Sequence, residues 1–177
     1  MTIQANFSQI EDWLTQHAAP LSPAFQTAAT LENIKHTEAA LQVTFPKSVR
    51  EAYLAHNGEV KASYGLFGCY RWLSLAEVIT LHNEMKGIEE IHQFGDFTPS
   101  FMIPLLMSGG GDFYYVESVS SADPESEVID WWHEVPTRDV KFPSFSNMLE
   151  TFVNDLQAGQ YLCKPEDFNG LIHREDY

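Results

Sequence analysis

Up to Leu54 the apolar residues recur every three to four positions, the spacing of helices that bury one stripe. Ser8-Gln9-Ile10-Glu11 matches a capping box, and Ile10, Trp13, Leu14 and His17 follow at helical spacing, which predicts a first helix ending before Pro20. Pro20 and Pro23 then make a short bridge. A second helix is predicted over Leu31–Leu41, with Leu31, Ile34 and Leu41 on its inner stripe. In FPKSVREAYLAHNGE, Pro46 suits a first helical turn, where its missing N–H costs nothing. Val49, Ala52 and Tyr53 face inward there, and Asn57-Gly58 closes the helix, because glycine past the last turn adopts the left-handed conformation. His56 reads as a helix-end residue rather than a catalytic base.

After Gly58 the pattern changes. Tyr64, Leu66, Phe67, Cys69, Tyr70 and Trp72, interrupted by Gly65 and Gly68, predict one or two short strands. Ser74-Leu75-Ala76-Glu77 is another capping box, opening a helix with Leu75, Val78, Ile79 and His82 inward and its end at Gly87. A loop containing Gly95, Asp96 and Pro99 follows. The apolar runs Met102–Met107 and Phe113–Val119 suit strands covered on both faces, and Val128–Trp132 is a third strand. Phe145, Met148, Leu149, Phe152, Val153 and Leu156 form the cleanest amphipathic helix, stopped by Gly159; Pro165 begins a short extra turn in the tail. Helices first, a sheet in the middle and a covering helix describe one α+β domain.

Charge narrows the partners. The chain carries 10 Lys plus Arg against 25 Asp plus Glu, a formal net of −15. Residues 101–177 alone hold 14 acids and 4 bases, so −10 of that −15 lies there. Such a surface repels nucleic acid and anionic membranes and attracts a basic protein. The same acidity also serves solubility. No apolar run reaches the roughly 18 residues of a membrane span, and the start lacks the basic and apolar regions of a signal peptide. Cys69 and Cys163 form no CxxC pair, which fits reduced thiols in a cytoplasmic protein.

Chemistry is harder to find. Gly109-Gly110-Gly111-Asp112 precedes the strand-like FYYVES rather than a helix, and no lysine lies between Lys86 and Lys141, so a phosphate cradle lacks its context. Glycines between two strands instead allow a tight turn, with Asp112 expected to hydrogen-bond its backbone. No two histidines fall three or four apart; His82 and His133 read as structural. Ser108 lacks a nucleophile-elbow frame, and Cys69 has the look of a packed small hydrophobe. No enzyme motif and no cofactor or metal motif survives. The segment Glu117–Asp139 is more suggestive: Glu117, Asp123, Glu125, Glu127, Asp130, Glu134 and Asp139 surround Trp131-Trp132 with Arg138 as its one base. Exposed tryptophan beside carboxylates suits an interface, while strand alternation places at least one of the two rings in the core.

In order, these landmarks resemble the SUKH superfamily, which includes SMI/KNR-type fungal cell-wall regulators and many bacterial immunity proteins. The matching stretches are LENIKHTEAALQVTFPKSVREAYLAHNGE with its terminal Asn57-Gly58; Trp72-Leu73-Ser74-Leu75-Ala76-Glu77; Ile103-Pro104 leading to Gly109-Gly110-Gly111-Asp112 and Phe113–Glu117; and the helix Phe145 to Leu156. They span residues 28–158, leaving extensions at both ends of a single domain over 1–177. Leu41-Gln42 stands where the family usually has Leu-Gly. The resemblance implies helices packed on a mainly antiparallel sheet and a non-enzymatic role, most often binding and neutralising a cognate toxin, frequently a basic nuclease, inside the cell. Glu127, Asp130, Trp131 and Glu134 are the expected partner contacts. The alternatives are a regulatory or scaffold module without a toxin, and a small-ligand protein using a cleft near Asp112 and Tyr115.

Overall fold

A computed structural model describes residues 2–60, 65–91, 99–121, 124–134, 138–163 and 170–176. Tyr64, Gly95, Asp96, Asp123 and Pro165, which figure in the sequence expectations, lie outside them. In chain order the elements are α1 (Ile3–His17), α2 (Leu31–Leu41), α3 (Lys47–Ala55), β1 (Tyr70–Trp72), α4 (Leu75–Ile91), β2 (Met102–Ser108), β3 (Phe113–Glu117), β4 (Val128–Trp131), β5 (Val140–Phe142), α5 (Phe145–Gln157), β6 (Tyr161–Cys163) and β7 (Leu171–His173). Strands β1 to β5 form one antiparallel sheet in sequence order, and β6 and β7 pair separately. The fold is α+β, as the patterning predicts.

Alternation along the strands gives the sheet two covered faces. Tyr70 of β1 stacks on Tyr114 of β3 at 4.3 Å, on the side of Met148 and Phe152 of α5. Their neighbours Phe113 and Trp131 stack at 5.6 Å on the opposite side, against Leu81 and Met85 of α4. Helix α1 packs on α5 and α3, and α2 on α4. The six residues predicted for the inner face of α5 are all buried, each worth roughly 1.5–3 kcal/mol of transfer free energy before conformational entropy is set against it. Trp72 sits at the centre, fully buried, among Phe7, Phe25, Tyr53 and Phe145.

Several boundaries differ from expectation, each for a local reason. Helix α1 begins at Ile3, capped by the Thr2 hydroxyl, which accepts the Ala5 N–H at 3.2 Å. Ile3, Phe7, Ile10 and Leu14 form one buried stripe, so Ser8 lies inside the helix rather than at its cap. Leu31 is 46% exposed, and the inner stripe of α2 is Ile34, Thr37 and Leu41. Helix α4 runs through Gly87 to Ile91, because Gly87 lacks the positive φ of a terminator. Between Gly65 and Cys69 there is no regular strand: Gly65, Gly68 and Cys69 all have positive φ, and only Tyr70–Trp72 joins the sheet. Strands β5, β6 and β7, three residues each, carry too little pattern to be read from sequence.

Candidate functional site

The glycine-rich segment is the β2–β3 turn. Ser108 N–H donates to the Asp112 carbonyl at 2.8 Å, and the Ser108 hydroxyl accepts the N–H groups of Gly110 (3.2 Å) and Asp112 (3.1 Å). Gly111 N–H donates to the Ser108 carbonyl at 3.3 Å, so three successive backbone donors are turned onto one serine and away from any anion. The Asp112 side chain does not hold this turn, contrary to expectation. It accepts the His133 N–H at 3.1 Å and lies 2.6 Å from His133 Nδ1, tying the turn to the end of β4. Ser108 reaches the turn amides first, which frees Asp112 for a neighbouring strand.

Four carboxylates hold the fold, and two of them, Glu59 and Glu38, have no role in the sequence reading. Glu59, fully buried, accepts the N–H groups of Trp72 (2.9 Å) and Leu66 (3.2 Å), tying the positive-φ segment at Leu66 to the strand that follows it. Glu38 accepts the Phe45 N–H at 2.8 Å and pairs with Arg50 at 2.6 Å. Glu77 closes the predicted capping box on Ser74 and pairs with Arg71 through both oxygens, at 2.8 and 3.1 Å. Burial works against its ionisation, but the Arg71 and Ser74 hydrogen bonds outweigh it and hold the carboxyl down at about 2. Glu125, from the acidic loop, caps α3 across 77 residues: it accepts the Ser48 N–H at 3.1 Å and the Ser48 hydroxyl. Pro46 offers no side-chain cap of its own, and a carboxylate at a helix N-terminus suits the dipole.

The expected contact residues cluster at the end of the sheet but play unequal parts. Glu127 and Glu134 are exposed on either side of β4. Asp130 is half-buried and pairs with Lys141 of β5 at 3.3 Å; burial raises its pKa, with the lysine opposing. Trp131 is only 8% exposed and stacks on Phe113, with the Arg138 guanidinium 5.9 Å from its ring, whereas Trp132 is 54% exposed. One ring in the core and one in solvent is the division that strand alternation predicts. Val140 of β5, also exposed, and Asp139 extend this acidic, partly apolar edge.

Other candidate groups are accounted for by packing. His82 is buried in α4 with Nδ1 2.7 Å from the Met102 carbonyl oxygen, and burial lowers its pKa. His56 packs on Phe7 and Phe25. Tyr115 is buried and Asp112 is engaged by His133, so these two do not converge on a cleft. Both cysteines are free thiols. Among the described residues no three His, Cys, Asp or Glu side chains are grouped to hold a metal ion, and no helix is long and apolar enough to cross a membrane.

The arrangement is thus an antiparallel sheet covered by helices on both faces, with an acidic, tryptophan-bearing edge. The model of the SMI1 / KNR4 family (SUKH-1) matches residues 28–151, and the chain belongs to that family. It is also 21% identical, over 221 aligned residues, to the cell wall assembly regulator SMI1 of Saccharomyces cerevisiae. That match takes in 94% of this chain and 44% of the yeast protein, so the chain spans less than half the length of this relative.

Proposed function

We propose that this protein is a non-enzymatic immunity-type module that binds and neutralises a basic toxin domain in the cytoplasm. The observation that carries the reading is the edge formed by β4 and β5, where Trp132 is exposed past one end of β4 and Glu127, Glu134 and Asp139 are exposed along the same part of the sheet. Carboxylates of this kind set the rate of encounter with a cationic partner, and a desolvated aromatic ring sets the lifetime of the complex. Glu127 and Glu134 steer, Trp132 anchors, and Asp130 and Trp131 hold the strand that presents them. Co-expression of the chain with the toxin domain encoded beside its gene tests this: growth is restored and the two co-purify. No rescue and no complex with any neighbouring toxin would sink it.

The second reading is a regulatory module that binds a protein but no toxin. It is favoured by the likeness to a yeast protein named as a cell wall assembly regulator. A gene neighbourhood without toxin-like reading frames selects it.

A further inference from the structure

On the face of the sheet beneath α5 lies a pocket of about 280 Å³. Rings make most of its wall: Phe67, Tyr70, Tyr114, Phe142, Phe152 and Tyr161. They brace one another, with Tyr70 on Tyr114 at 4.3 Å, Phe67 on Phe152 at 4.5 Å, and Phe152 edge-on to Tyr161 at 4.9 Å. Tyr70, Tyr114, Phe142 and Tyr161 are half-buried.

Two polar groups enter from α5. Thr151 and Asp155 are one helical turn apart and both line the pocket. The Asp155 carboxylate has no hydrogen bond or ion pair among the described residues. His173, on the hairpin side, accepts the Glu175 N–H at Nδ1 (3.3 Å). Asp155 supplies the carboxylate of the walls. Asp130, the cross-strand partner of Tyr114, adds negative potential at the Tyr70 phenol, offset in part by Lys141.

These features select the ligand by elimination. An anion would meet a carboxylate in an aromatic lining that offers it no cation. A neutral apolar group would fill the space but leave Asp155 dehydrated and unpaired. A cation is drawn to the ring faces and pairs with the carboxylate. The volume lies at the small end of ligand sites, the size of one long side chain rather than of a nucleotide. Flat rings favour the planar guanidinium, which stacks and donates in the same plane, over the ammonium of lysine. We infer that this pocket receives a single arginine side chain from a bound polypeptide, with the rings enclosing its stem and Asp155 accepting from its guanidinium. Phe142 brings the pocket up to the same strand β5 that borders the acidic edge, but Trp132 does not line it, and the inference does not depend on the partner being a toxin.

The test titrates the full chain with N-acetyl-arginine amide while aromatic and backbone NMR signals are followed. N-acetyl-citrulline amide, equal in shape but uncharged, is the control on the same wild-type protein. Arginine amide is expected to give saturable shifts at Tyr70, Tyr114, Thr151 and Asp155 with a Kd on the order of millimolar, and citrulline amide to bind roughly tenfold more weakly. Asp155→Asn, checked for unchanged signal dispersion, should lose about the same tenfold. Absence of saturable shifts up to ~50 mM, far above that Kd, overturns the inference. So does equal binding of citrulline, or shifts confined to the Trp132 edge.

Discussion

Two glycine turns in this protein look alike in sequence and differ completely in packing. At Gly58, φ is +83°, and a Cβ would come within 2.6 Å of Ser74 N and 2.7 Å of the Leu73 carbonyl oxygen. Its neighbour Glu59 is fully buried and binds the backbone within the Gly65–Cys69 bend, at Leu66, and beyond it, at Trp72, while Asn57 Oδ1 accepts the Leu75 N–H at 3.1 Å. At Gly109 and Gly111 a Cβ would meet nothing within 4 Å. The first turn is where α3, β1 and α4 are locked together. The second is an open hairpin end next to the acidic edge. Steric saturation thus marks the turn that holds the fold, and the other turn is left open to solvent.

Substitutions that break this contrast rank by packing. Gly58→Ala must both strain a positive φ and displace backbone, so thermal or urea unfolding should show a loss of about 3–4 kcal/mol or no folded protein. Glu59→Ala strands two buried N–H groups and should lose roughly 3 kcal/mol by the same measurement, with Glu59→Gln losing less because one amide oxygen still accepts.

Glu77 supplies a pH signature. Its carboxyl is held at about 2 in the folded protein against 4.5 unperturbed, so its contribution is complete above about pH 4.5 and is lost as pH falls toward 2. Urea midpoints of wild type and Glu77→Gln should converge over that window. A constant gap between them would contradict the assignment.

Smaller effects sharpen the contrast within the acidic segment itself. Glu125→Ala removes the cap of α3 and should lose about 1 kcal/mol, whereas Glu127→Ala, two residues on, should stay within about 0.5 kcal/mol of wild type. Gly109→Ala, with no positive φ and open space, should also be nearly silent in stability.

The sequence made the long periodic elements legible. Helices α2 and α5, the Ser74–Glu77 capping box and strands β2 and β3 stand where apolar spacing puts them, because each buries a stripe of its own residues. What stayed hidden depends on contacts between distant positions. Glu125 looks like one more solvated acid in a loop, and only the fold brings it to Ser48. Glu59 reads as the polar end of a helix motif until the bend at Gly65–Cys69 folds back over it. The Trp131-Trp132 pair shows the limit at the surface: alternation predicts one ring in and one out, but only the stacking of Trp131 on Phe113 decides which.

The central claim is that Trp132 and the flanking carboxylates form the binding surface without holding the fold. Stopped-flow association and dissociation of the proposed basic partner, with wild type and Trp132→Ala at low and high salt, tests it most directly. Trp132→Ala should unfold within about 0.5 kcal/mol of wild type yet weaken binding by ~30-fold, mainly through faster dissociation. The wild-type association rate should fall as salt is raised. An unchanged affinity in Trp132→Ala, together with a salt-independent association rate, would place the interface elsewhere on the molecule.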